Sequence, residues 1–231
     1  MRVMKSMQNF KNITIDESLN IVKLNVIGYT LEVDNKTTKE VDDLMEKLIL
    51  SLQDKYQIED VVNIPKLKIS RDAYKKLGID PSRYRLATES LIRRIVKGKG
   101  LYRINDIVDL GNILSALTYR SVCVVDLDKI DGDIYITRGK DTDVYEGINR
   151  GIINITNMPV YKDNIGNFGT PTSDTIRTAV SSTTKKILIM IICFNSDKND
   201  ETIKTDEELL IDLYTKYANG RNFKKCEIKI L

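Results

Sequence analysis

The sequence predicts an α+β fold in which a mostly antiparallel sheet or β-sandwich is flanked by helices. Apolar residues recur at helical spacing in some segments and alternate or run together in others, and these segments do not repeat as β-α-β units. The chain has 231 residues, 42% of them hydrophobic, so it can bury a full core. We expect a single domain over 1–231, with an N-terminal strand and helix elaboration over 1–70, a core over 71–194 and a C-terminal helix and strand over 195–231.

A strand region followed by a helix is predicted before residue 57. Residues 12–33 alternate well enough for one or two strands. Thr37 then opens a helix, and Glu40 three residues later completes a capping box. The apolar residues that follow at helical spacing, which we assign to the core, are Val41, Leu44, Met45, Leu48, Leu52 and Tyr56.

A second helix is predicted between Asp80, which can cap it, and Gly98, which suits a left-handed stop, with Pro81 at its first position. Its polar face gathers Arg83, Arg93, Arg94 and Lys97. Between 71 and 103, ten Lys or Arg residues stand against three Asp or Glu residues, although the net charge of the whole chain is only +3. Tyrosines are interleaved with these cations, so the pattern favours a polyanion surface over an ordinary solvated face.

The second half of the chain predicts a short helix over 108–117 and a buried strand over 121–127. That strand is expected to return, through a turn at Asp131 and Gly132, as the second strand of a hairpin over 133–138. The remaining expected elements are short β segments near 152–155 and 159–161, a central strand over 187–194, a helix capped by Thr205 and ended by Gly220, and a closing strand over 226–231.

Several function classes lose their usual support. Histidine is absent, which removes the usual neutral-pH base and the common histidine-containing zinc sites. Three cysteines at unrelated spacings indicate reduced, structural thiols. Neither a P-loop, a dinucleotide-binding glycine motif, Cys-x-x-Cys nor a nucleophile elbow occurs. We expect no metal and no cofactor, and we expect a soluble cytoplasmic protein, because no segment is typical of a signal peptide or membrane span.

A polar stretch precedes the predicted central strand. Nine hydroxyl side chains lie between Thr170 and Thr184, with Asp174 and Arg177 among them. Hydroxyls at the edge of a core either satisfy the backbone of a turn or line a pocket. Both interpretations stay open for this stretch.

Five stretches in order, ESLIRR, INDIVDLGNILSALTY, VVDLDKIDGDIYITRG, YEGI and TPTSDTIRT, resemble the editing domain of the bacterial phenylalanyl-tRNA synthetase β subunit. They are more similar still to free-standing proteins that contain only that domain, and the resemblance covers about 71–194. It implies a β-sandwich of unusual topology that binds the aminoacylated 3′ end of tRNA and hydrolyses a wrongly attached amino acid, such as tyrosine on phenylalanine-specific tRNA. The synthetase's other modules have no room here, so amino-acid activation is not expected.

The resemblance also implies site residues. The catalytic candidates are Ser173, Asp174 and Asn112; the substrate-binding candidates are Asp126, Glu146, Arg177 and Thr178; the candidates for tRNA phosphates are Arg83, Arg93, Arg94, Lys97 and Lys99. Structural alternatives remain: Arg177 can pair with Asp174, Asp126 can stabilise a turn, and Glu146 can end a hairpin. Cys123 stands where the family often has histidine, and we interpret it as a core residue.

The sequence therefore predicts a tRNA-directed esterase that acts in trans, without metal, and uses hydroxyl and backbone donors to stabilise the developing oxyanion. Neither DNA nor a membrane is expected as a partner, and the oligomeric state is left open. The alternatives are a non-catalytic module that binds tRNA or an amino acid, and a small-molecule hydrolase or interaction domain that kept the fold.

Overall fold

The computed structural model describes residues 11–195 and 201–231. The α-helices in these ranges are α1 Lys39–Lys55, α2 Pro65–Lys76, α3 Ala87–Val96, α4 Asp106–Thr118 and α5 Glu201–Ala218. The β-strands are β1 Asn12–Ile15, β2 Asn25–Glu32, β3 Val122–Asp126, β4 Ile134–Arg138, β5 Glu146–Gly147, β6 Gly151–Ile152, β7 Pro159–Lys162, β8 Asn167–Gly169, β9 Lys186–Cys193, β10 Arg221–Lys225 and β11 Glu227–Ile230. Within these ranges no helix has both the length and the apolar character that crossing a bilayer requires.

The strands form two larger sheets and one short hairpin. The five-stranded sheet has the order β11-β1-β4-β7-β8, and β1 runs parallel to both of its neighbours. The four-stranded sheet has the order β10-β2-β9-β3 and is antiparallel throughout. β5 and β6 form the hairpin. This arrangement is the expected α+β fold, with a parallel element at β1 that the sequence did not indicate.

Strand β9 separates two apolar cores. Successive side chains of a strand point to opposite faces, so its residues alternate between them. Leu188, Met190 and Ile192 pack between the two sheets. Ile187, Ile189 and Ile191 pack against the layer formed by α1, α3, α4 and α5. The protein therefore has three layers, and burial of each large apolar side chain contributes about 1.5–3 kcal/mol.

The expected hairpin over 121–138 is wrong. β3 pairs with β9 in the four-stranded sheet, whereas β4 pairs with β1 and β7 in the five-stranded sheet. The chain changes sheets through a 3-10 turn, Leu127–Lys129, in which the Asp128 N–H donates to the Asp126 carboxylate at 3.1 Å. Alternation identifies a strand but does not identify its partner.

Three helix starts also differ from expectation. α1 begins at Lys39 with Thr38 as its N-cap and without a side-chain cap, so the expected capping box of Thr37 and Glu40 is wrong; the Thr38 N–H donates instead to Asp106 Oδ1 at 3.1 Å. α3 begins at Ala87 instead of Pro81, because the Asp80 carboxylate caps a separate turn by accepting from the Ser82 N–H at 2.8 Å. α5 already includes Glu201, so Thr205 lies inside the helix and donates its hydroxyl to the Glu201 carbonyl at 3.4 Å. Neither α2 nor β10 is predicted by the sequence pattern.

The positive charge between residues 71 and 103 is partly neutralised inside the molecule. Glu89 of α3 is fully buried, and its two carboxylate oxygens accept from Arg71 Nη1 at 2.9 and 2.7 Å. Arg93 Nε donates to the same carboxylate at 2.8 Å. A buried carboxylate is tolerated only when charge and hydrogen bonds compensate it, so these arginines join α2 to α3.

Replacement of Glu89 by alanine should lower the free energy of unfolding by about 3 kcal/mol, because Arg71 would be left mostly buried without its carboxylate. Urea denaturation measures this change. Glu208→Ala is the matched control, because Glu208 is exposed and lies 4.0 Å from Lys204 in a pair of the kind that contributes little. Equal, small losses for the two variants would contradict the structural role of Glu89.

Candidate functional site

The polar stretch folds as a tight turn after β8. Thr170 Oγ1 accepts from the N–H groups of Thr172 at 3.1 Å and Ser173 at 3.0 Å, and it lies 3.1 Å from the Ser173 carbonyl, to which it can donate. The Tyr145 hydroxyl donates to that same carbonyl. Hydroxyls of this turn therefore serve its backbone, as the structural interpretation of the stretch requires.

Neighbouring elements fix the position of the turn. The Pro171 carbonyl accepts from the N–H of Ala87, the first residue of α3, at 2.8 Å and from the Ser121 hydroxyl at 2.9 Å. The Tyr74 hydroxyl lies 3.0 Å from Thr172 Oγ1. The turn is thus tied to α3, to α2 and to the start of β3.

Asp174 leaves this turn as a half-buried residue. Its backbone forms an antiparallel bridge with Gly169, and its carbonyl accepts from the Ile148 N–H at 2.9 Å. Burial raises the pKa of its carboxyl to about 7, and a hydrogen bond from the Cys123 thiol acts in the opposite direction. The carboxyl can therefore accept or release a proton near neutral pH, as histidine does in other proteins.

Two tyrosines and Cys123 surround the Asp174 carboxyl. Burial raises the pKa of Tyr145 and of Tyr161, and the charge of Asp174 adds to both shifts. Burial also raises the pKa of Cys123 well above its usual value, so this thiol is a hydrogen-bond donor and not a nucleophile. Among the described residues, the fully buried Tyr161 hydroxyl finds no hydrogen-bond partner. Such a group calls for a water or ligand partner.

Two glycines allow the close approach of these side chains. A Cβ atom on Gly169 would lie 2.6 Å from Tyr161 Cδ2 and 2.9 Å from Asp174 Oδ1. A Cβ atom on Gly147 would lie 2.8 Å from Ser173 Oγ. Ser173 Oγ itself donates only a long bond, 3.3 Å, to the Asp174 carbonyl. The Ser173 hydroxyl is therefore held less tightly by hydrogen bonds than the Thr170 hydroxyl.

Asp126 and Arg177 have structural partners elsewhere. Asp126 Oδ2 accepts from the Thr184 hydroxyl at 2.7 Å, and its Oδ1 accepts from the Asp128 N–H at 3.1 Å. The Arg177 guanidinium binds both carboxylate oxygens of Asp163, at 3.0 and 2.9 Å. The partner of Arg177 is thus Asp163, and not Asp174 as the sequence alternative had it.

The three remaining candidates differ in position and exposure. Asn112 is on α4, whose side chains pack in the helix core, while Cys123 faces the core between the sheets. Thr178 is fully buried. Glu146 is exposed on β5. In the part of the chain that the structure describes, no cluster of three or more side chains is arranged to bind a metal ion.

The five basic candidates fall into two groups. Arg83, Lys97 and Lys99 are exposed. Arg93 is engaged with the buried Glu89 carboxylate, and the Arg94 guanidinium carbon lies 3.8 Å from the centre of the Tyr102 ring. The positive charge available to a partner is therefore smaller than the residue count of this segment indicates.

Tyr145 and Tyr161 were not among the predicted site residues, and no partner was predicted for Cys123. A signal existed for Tyr145, which opens the YEGI stretch. Cys123 stands where the family often has histidine, but its contact with Asp174 joins residues 51 positions apart. Tyr161 belongs to β7 and carries no motif of its own.

Comparisons with known proteins agree with this architecture. A family model described as the B3/4 domain matches residues 69–211. Among solved structures, an N-terminal fragment of the phenylalanyl-tRNA synthetase β-subunit from Pyrococcus horikoshii has a TM-score of 0.52 and 10% sequence identity, with 96% of this chain and 53% of that chain covered. This chain thus spans about half the length of that fragment.

The structural match confirms the predicted α+β fold class, and at this identity it speaks for the fold alone. No curated protein matches the chain. The resemblance drawn from the sequence is confirmed by the family model, which covers more than half of the chain. The chain therefore belongs to the B3/4 domain family.

Proposed function

We propose that this B3/4 protein hydrolyses the ester bond of aminoacylated tRNA in trans, with Asp174 as the general base. The observation that carries the proposal is the Asp174 carboxyl, which is half-buried beside Cys123 and has a pKa raised to about 7 by burial. A general base works best when its pKa lies near the operating pH. In a chain without histidine, this carboxyl can fill that role.

In the proposed reaction, Asp174 takes a proton from a water molecule whose oxygen attacks the carbonyl carbon of the ester. The tetrahedral intermediate then expels the ribose oxygen of the terminal adenosine, which takes up the proton held by Asp174 and so returns the carboxylate to its starting state. The products are a free amino acid and deacylated tRNA. Ser173 Oγ and the buried Tyr161 hydroxyl are suited to donate to the oxyanion, because neither has a strong acceptor among the described residues.

The surface around α3 supports tRNA as the substrate. Arg83, Lys97 and Lys99 are exposed. The first residue of α3 is hydrogen-bonded to Pro171 in the tight turn after β8, which we call the site turn. Contacts from such cations to phosphates position a nucleic acid without reading its sequence.

Asp126, Arg177 and Asn112 take no part in this mechanism. We also propose that the chain acts as one domain in the cytoplasm.

The titration of Asp174 should make the stability of the protein depend on pH. Its folded pKa is raised above the unfolded value, so the folded state keeps a proton that the unfolded state loses, and stability falls as pH rises from about 4 to about 7. Asp174→Asn should remove this fall. Urea unfolding at pH 4, 6 and 8 should show the variant gaining about 1–3 kcal/mol on the native protein, a range reduced for solvent contact of the carboxyl.

Asp141→Asn is the matched control for this titration, because Asp141 is exposed. Its stability should parallel that of the native protein across the whole pH range. If the curve for Asp174→Asn is also parallel to that of the native protein, the pKa of Asp174 is not raised and the proposed base is lost.

Deacylation is the direct test of the proposed activity. The protein is incubated with tRNAs charged with tyrosine, phenylalanine and other near-cognate amino acids. Asp174→Asn should lower kcat by about 10²–10⁴-fold, because it removes the proton acceptor. Ser173→Ala should lower kcat by about 10–10³-fold, because it removes an oxyanion donor. The rate of the native protein should rise with pH through about 7.

Ser51→Ala, at an exposed position of α1, is the control and should leave deacylation unchanged. Absence of cleavage above the rate in buffer, or unaltered cleavage by both site variants, would contradict the mechanism. Salt-sensitive tRNA binding without cleavage would identify a binding module instead.

A further inference from the structure

The segment between α3 and α4 presents two apolar side chains to solvent. Residues 101–104 alternate in direction: Leu101 packs against the helix core, and the Arg103 guanidinium turns towards three acids. Tyr102 and Ile104 point the other way, and they are 67% and 57% exposed. An exposed tyrosine beside a basic helix end is a feature that the proposed esterase site does not use.

Tyr102 is displayed from a firmly held backbone. The Arg103 guanidinium binds the carboxylates of Asp42, Asp106 and Asp109, with 2.7 Å between Nη2 and Asp106 Oδ1. The Ile104 N–H donates to the Asp109 carboxylate at 3.2 Å. Because both neighbours of Tyr102 are fixed, little conformational entropy remains to be lost when a ligand packs on its ring.

One face of the Tyr102 ring is already occupied by a cation. The guanidinium carbon of Arg94 lies 3.8 Å from the ring centre, which is the distance of a stacked pair. Arg94 Nε is buried and has no hydrogen-bond partner among the described residues, so ring contact is its main interaction there. With one face covered and most of the residue exposed, the opposite face of the ring is open to solvent.

The surroundings of Tyr102 carry positive charge. Lys97 and Lys99 are exposed at the end of α3, and neither pairs with an acid in residues 11–195 or 201–231. Gly98 between them has no atom within 4 Å of the position that a Cβ would take, so a ligand can approach the backbone here. An open aromatic face beside free ammonium groups fits a planar base attached to phosphates.

We propose that Tyr102, stacked on Arg94, is the platform for an unpaired RNA base next to the aminoacylated end. This inference rests on the proposed function, because it assumes that the ester lies at Asp174. Ala87 of α3 bonds to Pro171 of the site turn, and Arg94 lies seven residues further on, about 10 Å along the helix axis. The stacked base therefore belongs to the single-stranded segment that precedes the terminal nucleotide.

The experiment measures the affinity for a short, labelled single-stranded oligoribonucleotide by fluorescence anisotropy. Tyr102→Ala should weaken binding by about 10-fold, because stacking of a base on an aromatic ring is lost. Tyr102→Phe keeps the ring and should bind within about twofold of the native protein. Tyr135→Ala is the matched control, because Tyr135 is 46% exposed on β4 of the five-stranded sheet. This variant should bind the oligoribonucleotide with native affinity.

The salt dependence separates stacking from charge. Tyr102→Ala should leave the slope of log affinity against log salt unchanged, whereas Lys97→Gln with Lys99→Gln should make it shallower by about one per lost phosphate contact. Circular dichroism and Tm check that each variant is folded. Native affinity in Tyr102→Ala, an equal loss in Tyr135→Ala, or the same Tyr102 dependence for blunt duplex RNA would overturn the platform.

Comparison with deacylation separates the two proposals. If charged tRNA is not cleaved but Tyr102→Ala still weakens RNA binding, the esterase proposal fails and the platform stands. If charged tRNA is cleaved and Tyr102→Ala binds RNA like the native protein, the platform alone fails.

Discussion

The fold depends on one strand that is apolar on both faces. β9 pairs with β2 over eight residues and with β3 over five, so its backbone groups are satisfied from both sides. Its side chains supply the core between the sheets and the core under the helices at once. A polar residue between Ile187 and Cys193 would be buried without compensation on either face. The position of β9 in turn fixes β3, and therefore the position of Cys123, which lies opposite Met190.

The chemistry of the candidate site follows from this layering. Cys123 points into the core between the sheets, and the turn before Asp174 brings a carboxyl to the same interior. The pKa of that carboxyl is raised mainly by burial and not by a neighbouring charge. An apolar sandwich can thus give an ordinary aspartate a pKa near neutral pH, which the residue composition of the chain does not reveal.

Local patterns predicted the elements whose signals are local. The stripe of α1, the helix α4 and the apolar run of β9 were each read correctly from spacing. Strand partners were not predictable, because alternation reports which face is buried and not which strand lies alongside, and this is why β3 and β4 were wrongly joined. Ser173 and Asp174 were predicted from a family resemblance, and their roles stay predictions. The pairing of Arg177 with Asp163 and the placement of Tyr161 depend on tertiary contacts that no spacing encodes.

Helix α3 also fixes the distance between two parts of the molecule. Its first residue is bonded to the site turn, and its last turn carries Arg94, on which Tyr102 stacks, so its ten residues set a fixed separation between these two places. A ligand that occupies both must carry a flexible, unpaired tail long enough to run beside the helix. For the proposed RNA ligand, the length of the tail, and not the identity of its bases, then decides whether it can occupy both places.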